Sequence, residues 1–231
     1  MLGDGRLNLG RFALALVVVG AAGCAPDNAG RGAGQAGAGG GKESSAAGRE
    51  RAARMAMRCD ASDASLVVDS IGIGPVIRGA RIAELGSRCA VTDTAIVLGE
   101  GTPERAHAVS VRGHRLVVLT TGTPDTSIIR VITTDRAFRT AAGVGVGSSV
   151  ESLRLAHGRI CAARGETDFV VMAADLPGVS FAIDWNPPPT RDAPGSETPF
   201  PGGDPGAALD AARLTKLWVH GVSGACRVGV G

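Results

Sequence analysis

Two stretches of this chain carry the same pattern: VIRGARIAEL (Val76–Leu85) and VGVGSSVESL (Val144–Leu153). Val76 matches Val144, Gly79 matches Gly147, Ile82 matches Val150 and Leu85 matches Leu153, each pair 68 residues apart. In both, a β-branched residue leads into a glycine, and apolar residues then recur three apart. This predicts an extended entry, a turn at a residue that accepts positive φ, and a short amphipathic helix. The second copy also writes its own helix start. Ser148-Ser149-Val150-Glu151 reads as a capping box, with Ser148 as the cap and Glu151 reaching back. The first copy has Ala80 and Arg81 there, so it lacks a cap worth about 1 kcal/mol, and its helix is expected to be shorter.

Apolar, β-branched runs follow each copy. The first half offers Ala95–Leu98, Ala108–Arg112, Arg115–Thr120 and Ser127–Thr133, with Gly113-His114 reading as a hairpin turn. The second offers Arg159–Ala163, Asp168–Ala173, Ser180–Asp184 and Thr215–Val222. Alternation such as Val109 and Val111 against Ser110 and Arg112 marks half-buried strands. The expected fold is therefore α+β. Two tandem repeats of a short helix plus an antiparallel meander span about 66–135 and 140–222, inside a body at 55–231. Six prolines fall in Pro187–Pro201, so no central strand can pass there, and 186–206 is expected to be an exposed excursion.

The N-terminus reads as an address. Arg6 and Arg11 precede the apolar run Phe12–Val19, and Gly20-Ala21-Ala22-Gly23 follows as a small-residue exit. Residues 1–23 thus have the parts of a signal peptide, too short in apolar length to span a bilayer of about 30 Å. The sequence Ala21-Ala22-Gly23-Cys24 resembles the bacterial lipobox, departing from it at Ala21, where the pattern prefers Leu. The resemblance implies lipidation at Cys24 and a lipid-anchored place in the cell envelope. Ala25 stands where an inner-membrane retention signal has Asp, which favours the outer membrane if the cell has two. Residues 24–54, rich in Gly, Ala and Ser, are expected to be a flexible tether.

Composition narrows the function further. A formal charge of +2, with no block of like charges, disfavours a nucleic-acid partner. Five Phe, two Trp and no Tyr leave little for a stacking platform. Cys59, Cys89, Cys161 and Cys226 are an even set beside Cys24, and without a close CxxC pair they read as two disulfides rather than zinc ligands. Three pairings are possible; Cys59–Cys89 with Cys161–Cys226 is favoured because each then staples one half.

Candidate chemistry is sparse. Gly143–Gly147 lacks the GK[ST] ending of a phosphate loop, and no GxSxG accompanies His107, His114, His157 or His220. His157 beside Gly158 suits a helix C-terminus. Asp135, Asp175 and Asp184 are scattered. No catalytic residue, metal or cofactor is expected, and Trp185 and Trp218 are the candidate contact residues.

The duplicated turn-and-helix, with sheets after it, resembles the β-lactamase-inhibitor-protein-like fold and the small SmpA/BamE-type lipoproteins. More narrowly, TAAGVGVGSSVESLRLAHG (Thr140–Gly158), LPGVSF (Leu176–Phe181) and KLWVHG (Lys216–Gly221) resemble segments of uncharacterised bacterial envelope proteins. The resemblance implies an envelope location and a two-repeat domain, and carries no catalytic residue. The leading expectation is a non-catalytic, membrane-anchored module that binds an envelope protein. A binder of envelope polysaccharide or peptidoglycan, and a hydrolase with a site assembled from distant residues, are the alternatives.

Overall fold

Among the described residues of the computed structural model, fifteen elements follow the order of the chain. They are α1 (Gly41–Ala56), β1 (Val67–Asp69), β2 (Gly72–Ile73), β3 (Val76–Ile77), α2 (Ile82–Gly86), β4 (Ala90–Val97), β5 (Pro103–Val111), β6 (His114–Thr120) and β7 (Ile128–Thr133). After these come β8 (Arg139–Thr140), α3 (Val150–His157), β9 (Ile160–Arg164), β10 (Phe169–Ala173), β11 (Val179–Ile183) and β12 (Leu214–Val219). The structure describes residues 41–98, 101–122, 126–164, 168–185 and 209–221. The signal segment, Cys24, the proline-rich stretch at 186–206 and Cys226 lie outside the described residues. No described helix is long and apolar enough to cross a membrane.

The fold is α+β and mostly antiparallel. β4 to β7 and β9 to β12 form one eight-stranded sheet in the order β4-β5-β6-β7-β12-β11-β10-β9. Each half contributes a four-stranded meander, and the two meet at the antiparallel pair β7–β12. A second, four-stranded sheet runs β3-β2-β1-β8, with a parallel β1–β8 pair. Alternation along each strand sends one set of side chains to a shared core. Val109, Val118, Val131, Leu217, Phe181 and Val171 lie there with Leu85 of α2, Leu153 of α3 and Phe138. Burying each such side chain stabilises the fold by about 1.5–3 kcal/mol.

The two turn-and-helix segments are wired alike. Gly79 and Gly147 take φ of 74° and 88°, a region a β-carbon disfavours. Gly79 N–H donates to the Ile128 carbonyl at 2.7 Å, and Gly147 N–H to that of Leu214 at 2.7 Å. Ile82 N–H donates to Thr126 at 3.0 Å, and Val150 N–H to Ala212 at 2.9 Å. In return, Ile128 donates to Ala80 and Leu214 to Ser148, both at 2.9 Å. Each helix start is thus stitched to the strand that closes its own meander.

Three expectations need correction. The tether does not reach residue 54, because Gly41–Ala56 is helical. Its Ala, Arg, Glu, Lys and Met residues are good helix formers, and Arg54 docks the end by donating to the Gly74 carbonyl at 2.7 Å while pairing with Asp69. The cap of α3 is Ser149, which accepts from Ser152 N–H at 3.1 Å. Ser148 instead accepts from Gly145 N–H and Arg139, both at 3.2 Å, and so fixes the turn rather than the helix. The β5–β6 hairpin turns on Arg112 and Gly113, at φ of 52° and 84°, as a type I′ turn requires; His114 already belongs to β6. The uncapped helix is the shorter, five residues for α2 against eight for α3.

Cys59 is disulfide-bonded to Cys89, clamping the segment after α1 to the start of β4. Cys161 is disulfide-bonded as well, to a residue outside those described.

Candidate functional site

One row of directly opposed residues crosses the side of the large sheet that faces away from the core. It runs Thr92, Ala108, Val117, Ile132, Trp218 and Ser180. It then continues through Met172 to Cys161 as the β11–β10 register extends. Around its middle sits a second apolar cluster, separate from the core: Ala106, Leu119 and Ile132, packed with Ile96, Leu98, Val117 and Trp218. Lys216 lies 5.6 Å from the Trp218 ring centre and pairs with Asp168 at 2.6 Å. An ammonium over an indole face adds about 0.5–1 kcal/mol at an exposed site. Beside this cluster β4 is the edge of the sheet, with Val97 60% exposed.

The two tryptophans separate. Trp218 belongs to the outward cluster. Trp185 is partly buried, packs on the main core and meets Phe169 edge-to-face, with ring centres 4.9 Å apart. Its hydrophobic area finds an aromatic partner at the end of β11, which no periodic pattern in the sequence announces.

All four histidines have a polar partner, a feature invisible in the sequence because the partners are distant in the chain. His107 pairs with Asp93 and His114 with Asp135, each at 3.0 Å. His157 sits in a line of three groups. Its Nδ1 is 3.1 Å from the Asp175 carboxylate, and its Nε2 is 3.0 Å from Thr140 Oγ1. A carboxylate accepts, so Nδ1 carries a proton, and Nε2 and the threonine hydroxyl share the second hydrogen bond. The arrangement has the order of a hydrolytic triad. Thr140, however, is 4% exposed, and its hydroxyl already receives the Val144 N–H at 3.3 Å. The three groups pin the end of α3 to β8 and to the β10–β11 turn.

Ser180 and His220 form the second hydroxyl–imidazole pair, 2.8 Å apart, with no carboxylate in line. Ser180 is 3% exposed. Burial first, and then the fields of Arg130 and Arg78, outweigh the hydrogen bond to Gly221 and hold the His220 pKa below its ordinary value.

Two shallow cavities lie elsewhere. One, of ≈ 340 Å³, adjoins Cys89 and is lined by Arg58, Arg88 and Arg112. Arg88 is committed to the carbonyls of Arg54, Met57 and Pro75, and Arg58 to Asp60. The other, of ≈ 580 Å³, is lined by Arg136, Asp184, Arg213 and Thr215, and Asp184 there accepts the Arg213 backbone N–H. Neither cavity reaches the histidine pairs. Among the described residues, no three His, Cys, Asp or Glu side chains gather as a metal site.

No family model matches the chain, and no curated protein does. Among solved structures, the uncharacterized protein YfeY from Escherichia coli is similar, at 13% identity and a TM-score of 0.41, over 69% of this chain and 100% of that one. That degree of likeness leaves the functional reading to rest on the residues of this chain.

Proposed function

We propose that this chain is a non-catalytic lipoprotein of the cell envelope, anchored through Cys24, whose body is a tandem duplication that docks an envelope protein on its outward sheet face. The observation that carries the binding reading is the second apolar cluster. Over the buried Ile132 and Leu119, the partly exposed Trp218, Val117, Leu98 and Ile96 gather on the side of the sheet away from the core. An aromatic anchor among aliphatic side chains, next to charged groups such as Lys216 and Asp168, has the make-up of a protein-binding surface. The neighbouring edge of β4 adds backbone groups that an extended partner segment can pair with.

The compartment is supported by the disulfides at Cys59–Cys89 and Cys161, which persist in oxidising surroundings. The duplication is supported by the matched hydrogen bonds of Gly79 and Gly147, Ile82 and Val150, and Ile128 and Leu214. A non-catalytic role is supported by the burial of Thr140 and Ser180, since a nucleophile must meet its substrate.

The test is photo-cross-linking in the cells that make the protein, with the reactive residue at Ile96 or Leu98. The expected result is a discrete adduct to an envelope protein that disappears in a folded Trp218→Ala variant. Adducts to glycan, or adducts indifferent to Trp218→Ala, overturn the reading.

A further inference from the structure

At the far end of β12 two arginines, Arg130 and Arg78, approach His220 with no carboxylate paired to either among the described residues. The β7–β12 register opposes Val219 to Val131, and its next step brings His220 beside Arg130 on the outward face. From the small sheet, the Arg78 guanidinium reaches the same place: a methyl group added at Gly221 would lie 3.4 Å from its Nη2. Arg51 of α1 stands behind, donating to the Arg78 carbonyl at 2.9 Å. Arg78 Nε is buried and has no hydrogen-bond partner. Among the described residues, neither Arg78 nor Arg130 is paired with an acid.

His220 cannot supply the missing anion. Its Nδ1 is 2.8 Å from the Gly221 carbonyl and its Nε2 is 2.8 Å from the Ser180 hydroxyl. A carbonyl only accepts, so Nδ1 carries a proton; burial and the two arginines favour the neutral ring, whose Nε2 then accepts from Ser180. A half-buried group of like charges with an orphan donor is unfavourable as it stands. An oxyanion cancels the repulsion, and the Nη groups of the guanidinium, of which Nη2 of Arg78 reaches Gly221, can donate to it.

We propose that Arg78 and Arg130, backed by Arg51, form a binding site for an oxyanion, a carboxylate or a phosphate group, at the His220 end of β12. The site is independent of the docking face around Ile96 and Leu98, so either assignment can fail without the other. Ser180 and His220 act as its wall and hold no reacting atom.

His220 is also the reporter. In the full chain, its imidazole is titrated by NMR in chloride, in inorganic phosphate and in acetate at matched ionic strength. A bound anion offsets the arginine field, so the His220 midpoint is expected to rise saturably in phosphate, in acetate or in both. Phosphate alone assigns a phosphate ligand, acetate alone a carboxylate, and both a general oxyanion site. Arg130→Gln and Arg78→Gln should each raise the midpoint in chloride and abolish the anion response. Arg130→Lys, which keeps the charge but loses the fork, should keep the chloride midpoint and bind several-fold more weakly. An equal midpoint in all three salts overturns the site, as does a response that survives both glutamine variants.

Discussion

The two ends of the eight-stranded sheet share a strand order and a core yet differ on their outward side. On β9 to β11, the outward residues Cys161, Val170, Ser180 and Ala182 are buried; on β4 and β5, Ala90, Thr92, Glu104 and Ser110 are exposed. Both are outer ends of one sheet, so position alone does not explain the contrast. The inward sides are alike because one core fixes them: Val109 and Val118 answer Ala162 and Val171. The outward sides are free to diverge. The apolar cluster with Trp218 sits where covered and open surface meet, and the arginine site lies at the end of the same strand.

The largest effects should come from matched truncations of the shared core. Leu85→Ala and Leu153→Ala remove residues that the 68-residue offset matches, both fully buried, and each is expected to cost about 2–5 kcal/mol in denaturant unfolding. A loss confined to one of them breaks the equivalence of the two helices. Next comes the staple of the first half. Replacing Cys59 and Cys89 by serine opens a bridge between residues 30 apart and should lower stability by about 2–4 kcal/mol. Peptide mapping without reduction sharpens the contrast: Cys161 is expected in a peptide linked to Cys226, and a bond to Cys24 would contradict the anchor. Smaller still is the cap. Ser149→Ala should cost about 1 kcal/mol and shorten α3, whereas Arg81→Ala, where no side chain caps α2, should cost less.

The smallest effect is pH dependence. The folded His220 has a pKa below its ordinary value, so the unfolded chain binds the proton first. Stability should therefore rise with pH across the window from the depressed folded value up to about 6.5. His220→Gln should flatten that part of the profile, and an unchanged slope would assign it to another group.

The strands and both short helices were legible because period-two alternation and three-residue spacing are local signals. Val109 and Val111 alternate in the sequence as they do in β5, and Ile82 and Val150 open α2 and α3 as the repeat predicts. The small sheet was not legible. Its strands are two or three residues long, too short for a period, and they exist through pairing rather than propensity. Helix α1 hid in a polar stretch because it is held by Arg54 reaching Gly74 and Asp69, contacts far along the chain. Of the candidate site, Trp218 stood out in the sequence, whereas its companions were ordinary strand residues until register put them on one face. The hydroxyl–histidine pairs and the arginine cluster depend wholly on tertiary neighbours. No spacing rule brings Arg78, Arg130 and His220 together.

The central claim is that this body works outside the cytoplasm, hung from a membrane by Cys24. Intact mass of the chain purified from its native cells, read before and after thiol alkylation, tests it most directly. The account predicts a chain that begins at Cys24, carries acyl groups and leaves Cys59, Cys89, Cys161 and Cys226 unalkylated. An unacylated chain that still begins at Met1, with those four cysteines open to alkylation, would contradict it.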